Sequence, residues 1–193
     1  MRTLIRPAVT LLLLMTALLG VVYPVVITGV ARLAFPTQAA GSLVMKDGKA
    51  VGSSLIGQAF SDPKYFWSRP SATGNAPYNG TASAGSNMGP LNPALTDAIK
   101  GRIEALRAAD PGNTAPVPID LVTASGSGLD PEISVAAAQY QLARVARTRG
   151  LTTDAVQKLI DASTRGRWLG FLGEPRVNVL ELNMALDSAS PRE

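Results

Sequence analysis

Chemistry in a polypeptide needs particular side chains, and here the two commonest catalytic ones are missing: the 193 residues include no histidine and no cysteine. That excludes thiol nucleophiles, disulfides, Cys/His metal sites and every triad with an imidazole base. What is left is serine with lysine, or paired carboxylates. A Ser/Lys peptidase needs a lysine in apolar surroundings that favour its neutral form, but Lys46, Lys49, Lys64, Lys100 and Lys158 are scattered among polar residues. The stretch SGSGLDPE at 125–132 has the outline of a glycine-rich phosphate cradle leading from a strand into a helix. Asp130 would occupy the cap where a phosphate should sit, and the third glycine of a dinucleotide fingerprint is absent. A turn that needs glycine for its geometry is the better reading, and no GxxxxGK[ST] string occurs. Arg144, Arg147 and Arg149, with Arg165 and Arg167 beyond, form the one local concentration of positive charge. Basic residues in a last helical turn favour the helix dipole, and an acidic patch on a partner is the functional alternative, with Arg144 and Arg147 as contact candidates.

The elements that would position these groups begin with an anchor. Residues 7–31, between Arg6 and Arg32, carry no charge and as a helix would measure about 37 Å, enough to cross a bilayer with some tilt. The run is longer than the core of a cleaved signal peptide and AFPTQAAG is a poor cleavage site, so residues 1–6 read as a tail, 7–31 as an uncleaved anchor and 32–193 as one soluble domain. Pro24 implies a tolerated kink. Positive charge is almost balanced across the span, and a six-residue tail is most simply left in the cytoplasm while the domain is exported. Apart from Arg2, Arg6 and Arg32 the chain is nearly neutral, and it shows no basic stripe interleaved with aromatics, so nucleic acid is not an expected partner.

Within the domain, Lys46-Asp47-Gly48-Lys49 reads as a hairpin turn between two short strands. From Ser68 to Pro93 glycine, asparagine, serine, threonine and proline dominate without apolar periodicity, which predicts a long loop. Tyr65, Phe66, Trp67 and Tyr78 give it apolar groups with which to dock, and an ordered, partner-facing loop is expected. Asn92-Pro93 starts a helix that carries Leu95, Ile99, Ile103 and Leu106 on one face and ends near Asp110. PVPIDLVTAS at 116–125 reads as a strand, Asp130-Pro131 as the start of a helix closed by Gly150, Thr152 as the start of a third, and Asn178 with Glu181 as the capping box of a fourth. The expected class is α+β with a single N-terminal transmembrane helix.

The strings VGSSLIGQAF (51–60), YFWSRPSA (65–72), YNGTASAGSNMGPLNP (78–93), VPIDLVTASGSGLDPEISVAAAQYQLARVARTRGL (117–151) and EPRVNVLELNMAL (174–186) resemble, in order and spacing, the C subunit of the bacterial Kdp potassium-transporting P-type ATPase. The resemblance covers the anchor and nearly the whole domain. It implies an accessory, non-catalytic subunit of an ATP-driven potassium importer in the bacterial inner membrane. Its partners would be a channel-like subunit, a phosphorylated P-type subunit and a small membrane subunit. Consistent with this, the chain has neither a DKTGT phosphorylation string nor a TVGYG filter. The resemblance also implies a role as a catalytic chaperone that raises the ATP affinity of the P-type subunit. The stretch involved, Ser54-Leu55-Ile56-Gly57-Gln58, is a departure from LSGGQ and nominates Ser54, Gly57 and Gln58 for nucleotide contact. An exported domain would meet no ATP, so topology and this role conflict. As alternatives outside the family, an anchored, exported Ser/Lys hydrolase and a stand-alone binding domain stay open. No cofactor or metal of the chain's own is expected.

Overall fold

The computed structural model describes residues 2–189, which divide into two compact units, one ending at Val51 and the other beginning at Gly52.

The first unit is dominated by an apolar helical run, Thr3–Ala34, with mean hydropathy 2.4 in its most apolar window and no buried residue there. It comprises α1 (Arg2–Ala17), a π turn (Leu18–Val22) and α2 (Tyr23–Ala34). The π turn has a local cause. Pro24 has no N–H to give back to the preceding turn and its ring crowds the carbonyl there. Widening the helix just before it, with the Tyr23 N–H reaching back to Leu18 O, relieves the clash without breaking the rod. A short α3 (Pro36–Ala39) leads to the hairpin of β1 (Leu43–Lys46) and β2 (Lys49–Ser53). Asp47 and Gly48 both take positive φ, 50° and 75°, the backbone that lets a two-residue turn follow the twist of its strands.

The second unit is a helical layer on a small sheet. α4 (Pro93–Ala109) is capped by Asn92, whose side chain accepts the Ala94 N–H at 3.0 Å. Three very short strands, β3 (Glu132–Ser134), β4 (Thr164–Arg165) and β5 (Arg176–Asn178), form an antiparallel sheet in the order β3-β5-β4, with Ile133 opposite Val177. Between and after them run α5 (Val135–Arg149), α6 (Thr153–Ser163) and α7 (Val179–Ala189). Gly150 closes α5 in the left-handed conformation, Thr152 caps α6, and Asn178 Oδ1 accepts the Glu181 N–H at 3.1 Å to start α7. The core is the meeting of these helices with the sheet: Ile133, Ala137, Val145, Val156, Ile160, Val177, Leu182 and Leu186 are buried, and Phe66 enters from the long loop side. The fold is α+β, as expected from the sequence.

Two expected elements are corrected. Residues 116–125 are not a strand but a proline-led segment with a single 3-10 turn at Ile119–Leu121. Pro116 and Pro118 have no N–H for a ladder, and the Asp120 carboxylate instead accepts the Ser134 N–H at 2.7 Å. Asp130-Pro131 does not start α5. Asp130 accepts the Glu132 N–H in a local turn, residues 132–134 pair with β5, and the helix begins four residues later under the Ser134 cap.

Candidate functional site

The aromatic triplet Tyr65-Phe66-Trp67 lies at the centre of the second unit's polar architecture. Residues 62–65 make a turn closed by the Tyr65 N–H on Asp62 O at 3.1 Å, and among the described residues no strand runs alongside to supply the hydrogen bonds of residues 66 and 67 as they pass α5 and α7. Side chains do so instead. Asn183 on α7 accepts the Phe66 N–H at 2.9 Å and donates to Phe66 O at 3.0 Å. Gln141 on α5 accepts the Trp67 N–H at 2.7 Å and donates to Trp67 O at 3.1 Å. Each carboxamide thus presents to one residue the donor and acceptor that a β-strand would have offered. Arg144, one turn beyond Gln141, donates to Pro63 O, to Tyr65 O at 3.0 Å and to Gln141 Oε1 at 2.7 Å, and its guanidinium stacks 4.8 Å from the Trp67 ring. The clamp closes with Arg149, which donates to Lys64 O at 2.7 Å and Asp187 at 2.8 Å and stacks over Tyr65 at 4.7 Å.

This placement corrects two partner-contact candidates. Phe66 is fully buried and Arg144 is 2% exposed, so neither has a surface to offer another protein. Loss of hydration pulls the Arg144 guanidinium down to about 10, with Asp110 pulling the other way, and it stays charged at neutral pH. Tyr65 and Trp67 are half-buried in the same clamp. Arg147 points outward, 60% exposed, and pairs at 2.7 Å with the nearly buried Asp110. Arg165 pairs with Glu181 and Arg167 with Glu174. The basic residues therefore do not form a free positive patch.

Tyr78 belongs to a different cluster. Its hydroxyl donates to Arg69 O, its ring lies against Gly57, and burial pushes the phenol above its ordinary range. Gly57 is required there. A Cβ would collide with the Tyr78 ring and stand 2.6 Å from Asp130 O, while the Gly57 N–H bonds Leu129 O at 2.9 Å. Gly57, Gln58 and Tyr78, with Gly52 and Ile56, line a depression of about 400 Å³ that has no charged residue in its wall. Ser54 is not part of that wall. Its carbonyl accepts from Asn178 Nδ2 at 2.9 Å, which fixes the segment to the end of β5.

Residues 68–92 contain neither helix nor strand, and their order comes from hydroxyl groups. Ser71 Oγ donates to Gly128 O at 2.7 Å and accepts the Tyr78 N–H at 2.9 Å, Thr73 Oγ1 donates to Ala76 O at 2.6 Å, and Ala84 N–H reaches Ser127 O at 3.0 Å. Arg69 pairs with Asp130 at 2.9 Å. The SGSG stretch is thus the surface on which the loop is pinned, and its Gly128, at φ 68°, closely faces Thr73 and Ala84. The helix N-terminus that a phosphate cradle would have used lies at Ser134 instead.

All five lysines are exposed. In a cleft of about 590 Å³, Asp120 holds Ser134, Asp130 holds Arg69, Glu132 holds Arg176 and Glu174 holds Arg167. Among the described residues no cluster of acidic side chains is arranged to hold a metal ion.

A profile of the family described as "K+-transporting ATPase, c chain" matches residues 5–188, from the first helix through the clamp to α7. The chain belongs to the KdpC family. Its relatives match end to end. A potassium-transporting ATPase KdpC subunit of Polaromonas naphthalenivorans (strain CJ2) is 64% identical over 191 residues, covering 99% of this chain and 97% of that one. The KdpC subunit of Dechloromonas aromatica (strain RCB) is 64% identical over 190 residues, 98% and 100% of the two chains. That of Sorangium cellulosum (strain So ce56) is 62% identical over 185 residues, 96% and 97%. Sequence reasoning missed Gln141, Asn183 and Asp187 and took Arg149 only as part of a basic cluster, although polar side chains interrupting the apolar faces of α5 and α7 were a signal that those faces carry a polar job.

Proposed function

We propose that this chain is the membrane-anchored accessory subunit of an ATP-driven potassium importer, and that it supports assembly of the complex without chemistry of its own. The carrying observation is the KdpC family membership over residues 5–188, joined to relatives named as subunits of a potassium-transporting ATPase. The partners in this reading are a channel-like subunit that passes the ion, a P-type subunit that is phosphorylated, a small membrane subunit and the bilayer of the inner membrane. A clamp made wholly of internal hydrogen bonds suits a subunit that must present a fixed surface. The test is a complex purified with and without this chain. Loss of potassium-stimulated ATPase and of subunit association without it is the expected result, and the isolated chain should hydrolyse no ATP. Turnover by the isolated chain, free of contaminating ATPase, would reverse the reading.

In this reading the six-residue tail stays in the cytoplasm and the domain lies outside, supported by the short tail being the simpler part to leave behind. Since the natural chain lacks cysteine, Thr114→Cys in an exposed turn gives a clean label site. A membrane-impermeant thiol reagent should modify it in intact cells, and protection until lysis would invert the topology.

A second reading, that Ser54, Gly57 and Gln58 touch nucleotide and raise the complex's ATP affinity, has the uncharged depression beside Tyr78 in its favour. That wall could accept a planar base but gives a triphosphate no countercharge. Gln58→Ala should then weaken apparent ATP affinity in a fully assembled complex, and an unchanged ATP dependence removes these residues from the reading.

A further inference from the structure

The connection from β4 to β5 ends in a tight hairpin tip. Trp168 and Leu172 exchange backbone hydrogen bonds at 2.8 and 2.9 Å around Leu169, Gly170 and Phe171. Leu169 and Gly170 both take positive φ, 52° and 82°. For leucine that conformation is unfavourable, so the tip is held in shape rather than merely connecting two strands. What it displays is apolar: Trp168 is 68% exposed, Leu169 67%, Phe171 69% and Leu172 43%. No charge interrupts residues 168–173. At the base, Arg167 pairs with Glu174 at 2.7 Å, Arg165 with Glu181 at 2.8 Å and Arg176 with Glu132 at 2.7 Å, so the three arginines are neutralised.

We propose that this tip is a second membrane contact, with Trp168, Leu169, Phe171 and Leu172 entering the interfacial layer of a lipid bilayer. Three observations favour lipid over protein. The exposed apolar patch is confined to four side chains, Trp168, Leu169, Phe171 and Leu172, with paired charges at its base, where a stable protein interface takes about 20–30 residues a side. The patch is a convex hairpin end, which suits a deformable layer and would need a matching groove in a protein. The chain also carries its own apolar span, Thr3–Ala34, which ties the domain covalently to any bilayer that span crosses. A tethered contact acts at high effective concentration, so modest apolar area suffices. A tryptophan and a phenylalanine beside leucines suit the depth of about 5–10 Å at which interfacial groups lodge. Because the neighbouring arginines are paired, the contact should depend on apolar insertion and little on headgroup charge.

The inference rests on the membrane-anchored reading only for its tether, and one experiment separates the two. The full chain is reconstituted into phosphatidylcholine vesicles whose acyl chains carry bromine near the headgroup, floated, and read by tryptophan emission. The only tryptophans are Trp67 and Trp168, and Trp67 is stacked in the clamp. Strong quenching that disappears in Trp168→Phe, and falls in Phe171→Ser while Trp168 remains, is the expected result. Adding anionic lipid or salt should change it little. Failure to float removes the tether and the proposal with it. A chain that floats with unquenched Trp168, or whose quenching persists in Trp168→Phe, overturns the proposal while leaving the anchor intact. Quenching that appears only with anionic lipid overturns it too. Trp168 unquenched in vesicles but shielded in the assembled complex assigns the tip to a protein partner instead.

Discussion

Two segments of this chain are rich in aromatic and aliphatic side chains, and they meet opposite fates. Tyr65-Phe66-Trp67 is enclosed, with Phe66 fully buried, whereas Trp168 to Leu172 stands in the open with three of its large side chains about two-thirds exposed. Residue type does not separate them. The difference lies in what faces the backbone. Around residues 63–67, Gln141, Arg144, Arg149 and Asn183 satisfy N–H and C=O groups that could not otherwise leave water, and only then does apolar burial become favourable. The hairpin tip satisfies its own backbone through Trp168 and Leu172, so its side chains are free to point elsewhere.

The comparison breaks most sharply at Phe66. Truncation to alanine empties a fully buried ring site among α5 and α7 and should cost about 3–5 kcal/mol of stability, read as a large drop in denaturant midpoint for the full chain in detergent. A loss under about 1 kcal/mol would mean that Phe66 is not the apolar keystone of the clamp. Next comes Arg144→Met, which keeps much of the volume but withdraws the donors to Pro63 O, Tyr65 O and Gln141. Two part-buried carbonyls without partners, and a Gln141 oxygen short of one donor, should cost about 1–3 kcal/mol. Arg144→Lys should restore only part of this, because an ammonium group cannot reproduce the planar fork that meets all three oxygens and stacks on Trp67. Full rescue by lysine would show that charge, and not geometry, is what the clamp uses.

Local signals made much of this fold readable in advance. Asn92, Thr152 and Asn178 are side-chain caps, Gly150 is a left-handed stop and Asp47-Gly48 is a hairpin turn, and each acts within a few residues of itself. The strands of the second unit were not readable for the opposite reason. β3, β4 and β5 have only two or three residues each, too few for an alternating pattern, and they exist because Ile133 and Thr164 both find Val177 across a long sequence separation. Asp130-Pro131 carries a genuine helix-start signal, but pairing of residues 132–134 with β5 overrides it. The site was legible in part. Aromatics at 65–67 and 78 stand out in the sequence as groups for contact with a partner, but the clamp's donors and acceptors come from helices more than 70 residues away in sequence, a relation that no local pattern carries.

A smaller effect tests whether the neighbouring loop is as tightly built as the clamp. Gly57→Ala places a methyl group against the Tyr78 ring and Asp130 O. Overpacking should cost about 1–3 kcal/mol. Combining it with Tyr78→Ala, which removes the ring but not the carbonyl, should recover part of the loss that Gly57→Ala causes. Strict additivity in that cycle would mean the two residues do not share the contact.

The smallest stability effect is expected at the tip, and it completes the contrast. Trp168→Ala removes the larger of the two regions' exposed side chains but empties no cavity, because the ring is 68% in solvent and its backbone hydrogen bonds with Leu172 survive the substitution. Folding stability in detergent should change by no more than about 0.5 kcal/mol. Trp67→Ala, by contrast, should cost about 3 kcal/mol, since that ring packs on the core, carries the Arg144 stack and donates through Nε1 to Asp62 O at 3.1 Å. The same amino acid is then structural at one position and dispensable to the fold at the other. If Trp168→Ala destabilises the chain as much as Trp67→Ala does, the tip is part of the domain's packing, and its exposure cannot be taken as a surface kept for something outside the chain.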